Sequence, residues 1–383
     1  MRLLRIIFAA SLACWLAGAS WALDTRATTA LVIDQGTGTI LLDKDADRPI
    51  PPASMSKLMT LDLLFEALES GRVKLDTEFL VSQRAHDMGG SKMFVSAGDR
   101  ITVENLIQGI IVQSGNDACV VVAENLAGTE EEFARLMTER AAQLGMVNSS
   151  FGNATGWPDP RQRMSARDLV FLANRIITEF PEYYKYFSET EFTWADITQK
   201  NRNPLLFMNI GADGLKTGHT SEAGYGLVGS VVQGNRRVIF MLSGMASETE
   251  RAEEGEKVAN WAFRNFTQKT LLDGNKTIAE ANVWLGGKPT VGLVAKDDVI
   301  GLIPYTTTED VTMTVEYDGP LQAPIAAGDE VAKLRVNVPG IEPVYYPLYA
   351  ETDVAEGGIV VRFKGAARRL AKRAMTMALG AGQ

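Results

Sequence analysis

Short apolar runs rich in β-branched residues, Thr29-Ala30-Leu31-Val32-Ile33-Asp34 and Thr39-Ile40-Leu41-Leu42, lie on either side of the turn Gln35-Gly36-Thr37-Gly38. That pattern predicts two strands of a hairpin. After Pro51-Pro52 the spacing changes to that of a helix over 54–68. Residues 101–147 read as largely helical with a break near Ser114-Gly115-Asn116, and a further helix is predicted over 165–177 with Ser165 as its cap. Beyond Lys216 the strand pattern returns. Residues 225–232 and 238–242 flank the turn Gln233-Gly234-Asn235 as a second hairpin, and 253–266 is predicted as a closing helix. Strands at both ends of this stretch and helices in its middle predict an α/β unit of the α+β kind, an antiparallel sheet flanked by helices. From about residue 268 to 354 the runs are short and alternating with frequent Gly and Pro, as at 291–294, 311–316 and 332–338, which predicts a small all-β domain, sandwich or barrel.

The two ends follow different rules. Arg2 and Arg5 precede an apolar run over 6–16, and small residues lead to Ser20-Trp21-Ala22. This is the three-part pattern of a secretory signal over 1–22, in a run short for a membrane span. At the other end Ile359, Phe363, Ala366, Leu370, Ala374 and Met377 recur at helical spacing, with Arg362, Arg369, Lys372 and Arg373 elsewhere around the helix. Residues 358–383 therefore read as an amphipathic helix lying on an anionic bilayer. The expected organisation is a signal segment 1–22, a mixed domain 23–267, a β-rich domain 268–354 and an anchoring helix 358–383.

Charge and cysteine content narrow the class. The chain carries a formal net charge of −9, although its last stretch, from Gly358, has six basic residues and no acid. An acidic body argues against nucleic acid as the partner. Of the two cysteines, Cys14 lies in the signal run, so a cleaved chain keeps Cys119 alone and forms no internal disulfide. Cys119 follows the Ser-Gly-Asn break on an apolar run and reads as a buried core thiol. His86 and His219 are the two histidines, and His86 reads as structural. No cluster of His, Cys and acidic residues has metal-ligand spacing, so neither metal nor cofactor is expected.

Three short motifs carry candidate chemistry. In Ser54-Met55-Ser56-Lys57, serine and lysine share one face of a helical turn. A capping box would place Glu or Gln where Lys57 stands, and a lysine there opposes the helix dipole. It can act as a base if burial or neighbouring positive charge lowers its pKa. Ser114-Gly115-Asn116 offers a hydroxyl and an amide at a helix break. Lys216-Thr217-Gly218-His219 opens a strand, with Gly218 clearing space for close approach. Taken singly, each also fits an ordinary cap or turn.

Together and in this order, Ser-x-x-Lys, Ser-x-Asn and Lys-Thr-Gly resemble the signature of penicillin-binding proteins and serine β-lactamases. The longer strings Pro52-Ala53-Ser54-Met55-Ser56-Lys57-Leu58-Met59-Thr60, Gln113-Ser114-Gly115-Asn116-Asp117-Ala118-Cys119, Thr198-Gln199-Lys200-Asn201-Arg202-Asn203 and Asp213-Gly214-Leu215-Lys216-Thr217-Gly218-His219-Thr220 resemble low-molecular-mass D-Ala-D-Ala carboxypeptidases. The resemblance runs from about Ala30 to Phe266 and more weakly through the β-rich part. It implies a β-lactamase/transpeptidase-like fold and an enzyme that trims the terminal D-alanine from peptidoglycan stem peptides and is acylated by β-lactam antibiotics. Ser54 is then the nucleophile and Lys57 its base. Ser114 and Asn116 line the cleft, and Lys216 supplies positive potential. Backbone N–H groups of Ser54 and His219 form the oxyanion hole, and Thr217 and Arg251 meet the substrate carboxylate. Arg251 is placed there by its position after the second hairpin; a solvated arginine at a helix start is the competing reading. Gly90-Ser91-Lys92-Met93 is expected at the edge of the cleft. The resemblance also implies a periplasmic enzyme, peripheral on the outer face of the inner membrane. Two other readings compete: a β-lactamase, against which stands the lack of a Glu-x-x-Leu-Asn sequence between Met146 and Lys200, and an inactive wall-binding scaffold, against which stand three intact motifs.

Overall fold

The computed structural model describes residues 23–305 and 311–359. The signal segment 1–22 and residues 360–383 of the anchoring tail lie outside the described residues.

The first hairpin forms as β1 (Thr29–Asp34) and β2 (Ile40–Lys44). The predicted helix after Pro52 begins later than its spacing suggests. Residues Ala53–Ser56 make a 3-10 turn, and α1 runs over Lys57–Glu69. Then come β3 (Glu78–Leu80), α2 (Gln83–Asp87), β4 (Arg100–Thr102), α3 (Val103–Ile111), α4 (Asn116–Ala127), α5 (Glu130–Gln143) and α6 (Ala166–Glu179). The predicted helical stretch is thus three helices, broken at Ser114-Gly115 as expected and again at Gly128. Side chains at the N-caps satisfy backbone donors that a helix start leaves open: Thr102 accepts from Asn105 N, Thr129 from Glu132 N and Ser165 from Asp168 N. After α7 (Pro181–Tyr184) and a small hairpin of β5 (Glu191–Trp194) and β6 (Ile197–Lys200), three long strands follow: β7 (Ala212–Thr220), β8 (Gly224–Gln233) and β9 (Arg236–Met245). The closing helix α8 spans Glu248–Asn265, starting five residues before its predicted position because Ser247 caps it by accepting from Glu250 N.

The main sheet is antiparallel, in the order β2-β1-β9-β8-β7. Successive side chains of a strand point to opposite faces, and here the two faces serve separate cores. Leu31, Val228, Ile239 and Met241 join the larger core with α1 and α3 to α6. Ala30, Val32, Leu227, Val238, Phe240 and Leu242 pack instead with Val258, Ala259 and Ala262 of α8. The sheet is therefore buried on both sides, and its edge strand β7 packs against the Ser54 turn.

The chain passes from α8 directly into β10 (Phe266–Leu272) of the β-rich part. There β11 (Thr277–Trp284), β12 (Thr290–Val294), β13 (Val299–Pro304), β14 (Thr312–Glu316), β15 (Leu321–Gln322), β16 (Glu330–Asn337) and β17 (Val344–Ala350) follow. They form a six-stranded sheet in the order β14-β16-β17-β12-β11-β15 and a β10–β13 ribbon around a third core.

Candidate active site

Three segments distant in sequence meet beside the edge strand β7. The first is the 3-10 turn that carries Ser54. Ala53 takes a φ of 49°, a left-handed backbone uncommon for a side chain with a Cβ, and the turn leads straight into Lys57. Lys57 is fully buried (0 % exposed). Its Nζ donates to Ser54 Oγ at 2.7 Å, to Asn116 Oδ1 at 2.8 Å and to the carbonyl of Thr155 at 2.6 Å. The second segment is the break before α4. Ser114 has a φ of 57°, and its Oγ accepts from Lys216 Nζ at 3.0 Å. Asn116 gives its amide hydrogens to Gly89 O at 2.8 Å, which leaves its Oδ1 to face Lys57. The third is β7, where Lys216 and Thr217 are buried and His219 is exposed. A Cβ on Gly218 would lie 2.9 Å from Pro52 O and 3.1 Å from the Ala53 Cβ, so a glycine is needed for β7 to run this close to the Ser54 turn.

Two further elements hold these parts in place. Asn153 Oδ1 accepts from Thr155 N, Gly156 N and Trp157 N, fixing the loop whose Thr155 carbonyl meets Lys57. The Asp117 carboxylate accepts from the backbone of Met93, Phe94 and Val95, at 2.8, 2.8 and 3.2 Å. It anchors the 91–95 strip, whose Ser91 carbonyl accepts from Asn116 N at 2.7 Å and whose Ser91 Oγ accepts from Arg202.

The electrostatics favour a neutral amine beside the serine. Burial is the main cause that brings Lys57 down to about 8, and the Arg202 guanidinium adds to it. A thiolate at Cys119 would oppose this. Burial pushes that thiol up to about 12, so it is neutral where Lys57 titrates. Lys216 is held well below the usual lysine value by burial first and then by repulsion from Lys57 and Arg202. Arg251, in the first turn of α8, is 6 % exposed, and its Nε is buried without a hydrogen-bond partner. This excludes the solvated reading of that arginine. Burial also lowers its pKa. Arg202 and Arg251 beside the two lysines make the cleft cationic; of the nearby acids, Asp117 is committed to backbone donors and Glu248 offsets part of the charge of both arginines. Such a cleft suits an anionic substrate, and a serine bonded to a desolvated amine suits acyl transfer.

The structure brings most of the residues singled out by sequence together. Ser54, Lys57 and Asn116 form one bonded group and Ser114 with Lys216 a second, while Gly218 abuts the Ser54 turn. Thr217 lies in the same strand, its carbonyl accepting from Lys216 Nζ at 3.1 Å. Cys119 is buried within the larger core, and His86 Nδ1 pairs with Val95 O, a structural contact. Sequence reasoning gave no role to Arg202, Asp117 or the Thr155 carbonyl. The first two lie inside strings already noted, whereas a backbone carbonyl leaves no trace in residue identity.

Comparison with known proteins supplies the remaining evidence. A family model described as D-alanyl-D-alanine carboxypeptidase matches residues 17–246, and one for the C-terminal domain of penicillin-binding protein 5 matches 266–356. The chain is 35% identical over 347 residues to D-alanyl-D-alanine carboxypeptidase DacC of Escherichia coli, covering 88% of this chain and 86% of that protein. It is 36% identical over 339 residues to DacA of Haemophilus influenzae, covering 87% and 86%. The crystal structure of penicillin binding protein 5 from Haemophilus influenzae superposes with a TM-score of 0.79 at 35% identity, covering 88% of this chain and 99% of that one.

Proposed function

Since this chain belongs to the D-alanyl-D-alanine carboxypeptidase family, a family of serine acyl-enzymes that bind β-lactams, we propose that Ser54 is its nucleophile and Lys57 the base that activates it. The observation that carries this reading is the 2.7 Å contact between Lys57 Nζ and Ser54 Oγ in a desolvated setting. In the proposed reaction Oγ attacks the carbonyl between the two terminal D-alanines of a peptidoglycan peptide while its proton passes to neutral Lys57. The oxyanion is met by the backbone N–H groups of Ser54 and His219. The C–N bond then breaks, and the leaving amine takes a proton relayed through Ser114. Water hydrolyses the resulting ester and frees Ser54. Lys216 lends positive potential to the cleft, and repulsion between the two lysines favours a neutral amine. The carboxylate of the departing D-alanine pairs with Thr217 and Arg251, whose unpartnered guanidinium nitrogen supports the assignment.

The proposal extends to place. Residues 1–22 direct export, residues 23–267 carry the chemistry, and the 358–383 helix holds the enzyme peripherally on the periplasmic face of the inner membrane. The helical spacing of apolar residues in that tail, with basic residues elsewhere around the helix, supports this. The test of the catalytic reading is Ser54→Ala: release of D-alanine from a D-Ala-D-Ala peptide and covalent labelling by a fluorescent penicillin are both expected to vanish. Unchanged labelling would remove Ser54 from the mechanism.

A further inference from the structure

Tyr225 has no part in the mechanism so far, yet it touches two of its members. It stands directly opposite His219 in the β7–β8 register. The two rings stack with centroids 3.9 Å apart at 26°. The same tyrosine ring has the Arg251 guanidinium carbon 5.6 Å from its centroid. Arg251 reaches this point from a different element, the first turn of α8, where its backbone N donates to Ser247 O at 3.0 Å. One aromatic ring thus joins the residue whose N–H is assigned to the oxyanion hole and the residue assigned to the substrate carboxylate.

The choice of an aromatic partner has a consequence for the guanidinium. A carboxylate in the place of Tyr225 would pair with the in-plane N–H donors of Arg251 and compete with any incoming anion. A π face attracts the cation through its quadrupole and leaves those donors open. The buried Arg251 Nε without a hydrogen-bond partner is consistent with this, and Glu248, in the same turn of α8, acts on the guanidinium through its charge. A buried guanidinium with an unmet donor is costly, and the ring face offsets part of that cost while holding the group in place.

We propose that Tyr225 is a positioning residue for carboxylate recognition, its ring fixing Arg251 with open donors and tying that arginine to the His219 end of the cleft. This rests on the assignment of Arg251 given above. It identifies the ring, not the hydroxyl, as the working part, and makes the enzyme's preference for a free terminal carboxylate depend on a residue that does not touch it.

The experiment compares kcat/KM for an N-acylated peptide ending in D-Ala-D-Ala with that for the same peptide amidated at its C-terminus, in the full chain. Tyr225→Leu keeps apolar bulk without a π face. It is expected to lower kcat/KM for the free acid about ten-fold, as for loss of one desolvated cation–π contact, with little change for the amide. Tyr225→Phe is expected to restore most of the preference. Thermal denaturation and penicillin labelling verify folding, and Tyr225→Met makes the same comparison should the leucine variant not fold. An unchanged acid-to-amide ratio in Tyr225→Leu, or an equal loss on both substrates, would overturn the proposal. Arg251→Ala separates it from its premise: loss of preference there but not in Tyr225→Leu sinks the role of Tyr225 alone, whereas no loss in Arg251→Ala sinks the carboxylate assignment itself.

Discussion

Lys57 is surrounded by groups that pull its charge in opposite directions. Three oxygens accept from its Nζ, which favours the ammonium, while complete burial and then the nearby Arg202 favour the amine. Burial prevails, and the group is brought down to about 8, well below the usual lysine range. The sign for catalysis follows. Below that pH Lys57 holds its proton and cannot take one from Ser54; above it the free amine can. The kcat/KM profile, which reports the free enzyme, should therefore rise with pH through an acid limb near 8, with the apparent value belonging to the coupled pair of lysines. A profile flat from pH 6 to 9 would contradict the assignment of the base. Lys57→Gln should slow penicillin acylation by about 10²–10⁴-fold in stopped-flow measurements, the range expected for loss of a general base.

The Ser54 turn and the 153–157 loop form one packed element of the site. Gly156 has a φ of 80°, and a Cβ there would fall 1.9 Å from Ala53 O and 2.6 Å from Ser56 Oγ. Gly156→Ala should therefore push the loop off the turn, draw the Thr155 carbonyl from Lys57 and cost roughly 2–4 kcal/mol of stability by urea unfolding. Slower penicillin labelling should accompany that loss. Unchanged stability and labelling would show that the loop does not brace the turn. What was legible in the sequence follows from this packing. The strands β1, β8 and β9 were readable because each face feeds its own core, so apolar residues fall where the pleat puts them. The start of α8 was not, since Ser247-Glu248-Thr249-Glu250 is polar and the helix buries the small residues Gly255, Ala259 and Ala262, which give a weak periodic signal. The three motifs were legible because their chemistry resides in side chains, whereas the Thr155 carbonyl and the nest around Asp117 are backbone features. Strand order in the β-rich part, including the parallel β11–β15 pair, depends on long-range register that local alternation does not encode.

A buried ion pair inside the first domain also bonds the start of the β-rich part. Arg236 Nε donates to Asp34 Oδ2 at 2.5 Å and its Nη1 to the carbonyl of Phe266 at 2.8 Å, while Gln268 Nε2 reaches Asp34 Oδ1 at 3.3 Å. Asp34 is fully buried, so Arg236→Ala would remove its counter-ion and leave only the hydrogen bonds from Thr37 and Gln268, at a cost of about 3 kcal/mol. Faster proteolysis near residues 266–268 is expected in that variant, and an unaltered digestion pattern would mean that the pair does not secure the junction. Deleting residues 358–383 should move the enzyme from the membrane to the soluble periplasmic fraction with activity kept; retention on the membrane would place the anchor elsewhere. The central claim, that one serine receives the acyl group, is tested most directly on the whole wild-type chain. After incubation with benzylpenicillin and tryptic digestion, tandem mass spectrometry should locate the adduct in the peptide 45–57, on Ser54 and not on Ser56. An adduct on Ser114, Cys119 or any other residue would contradict the account.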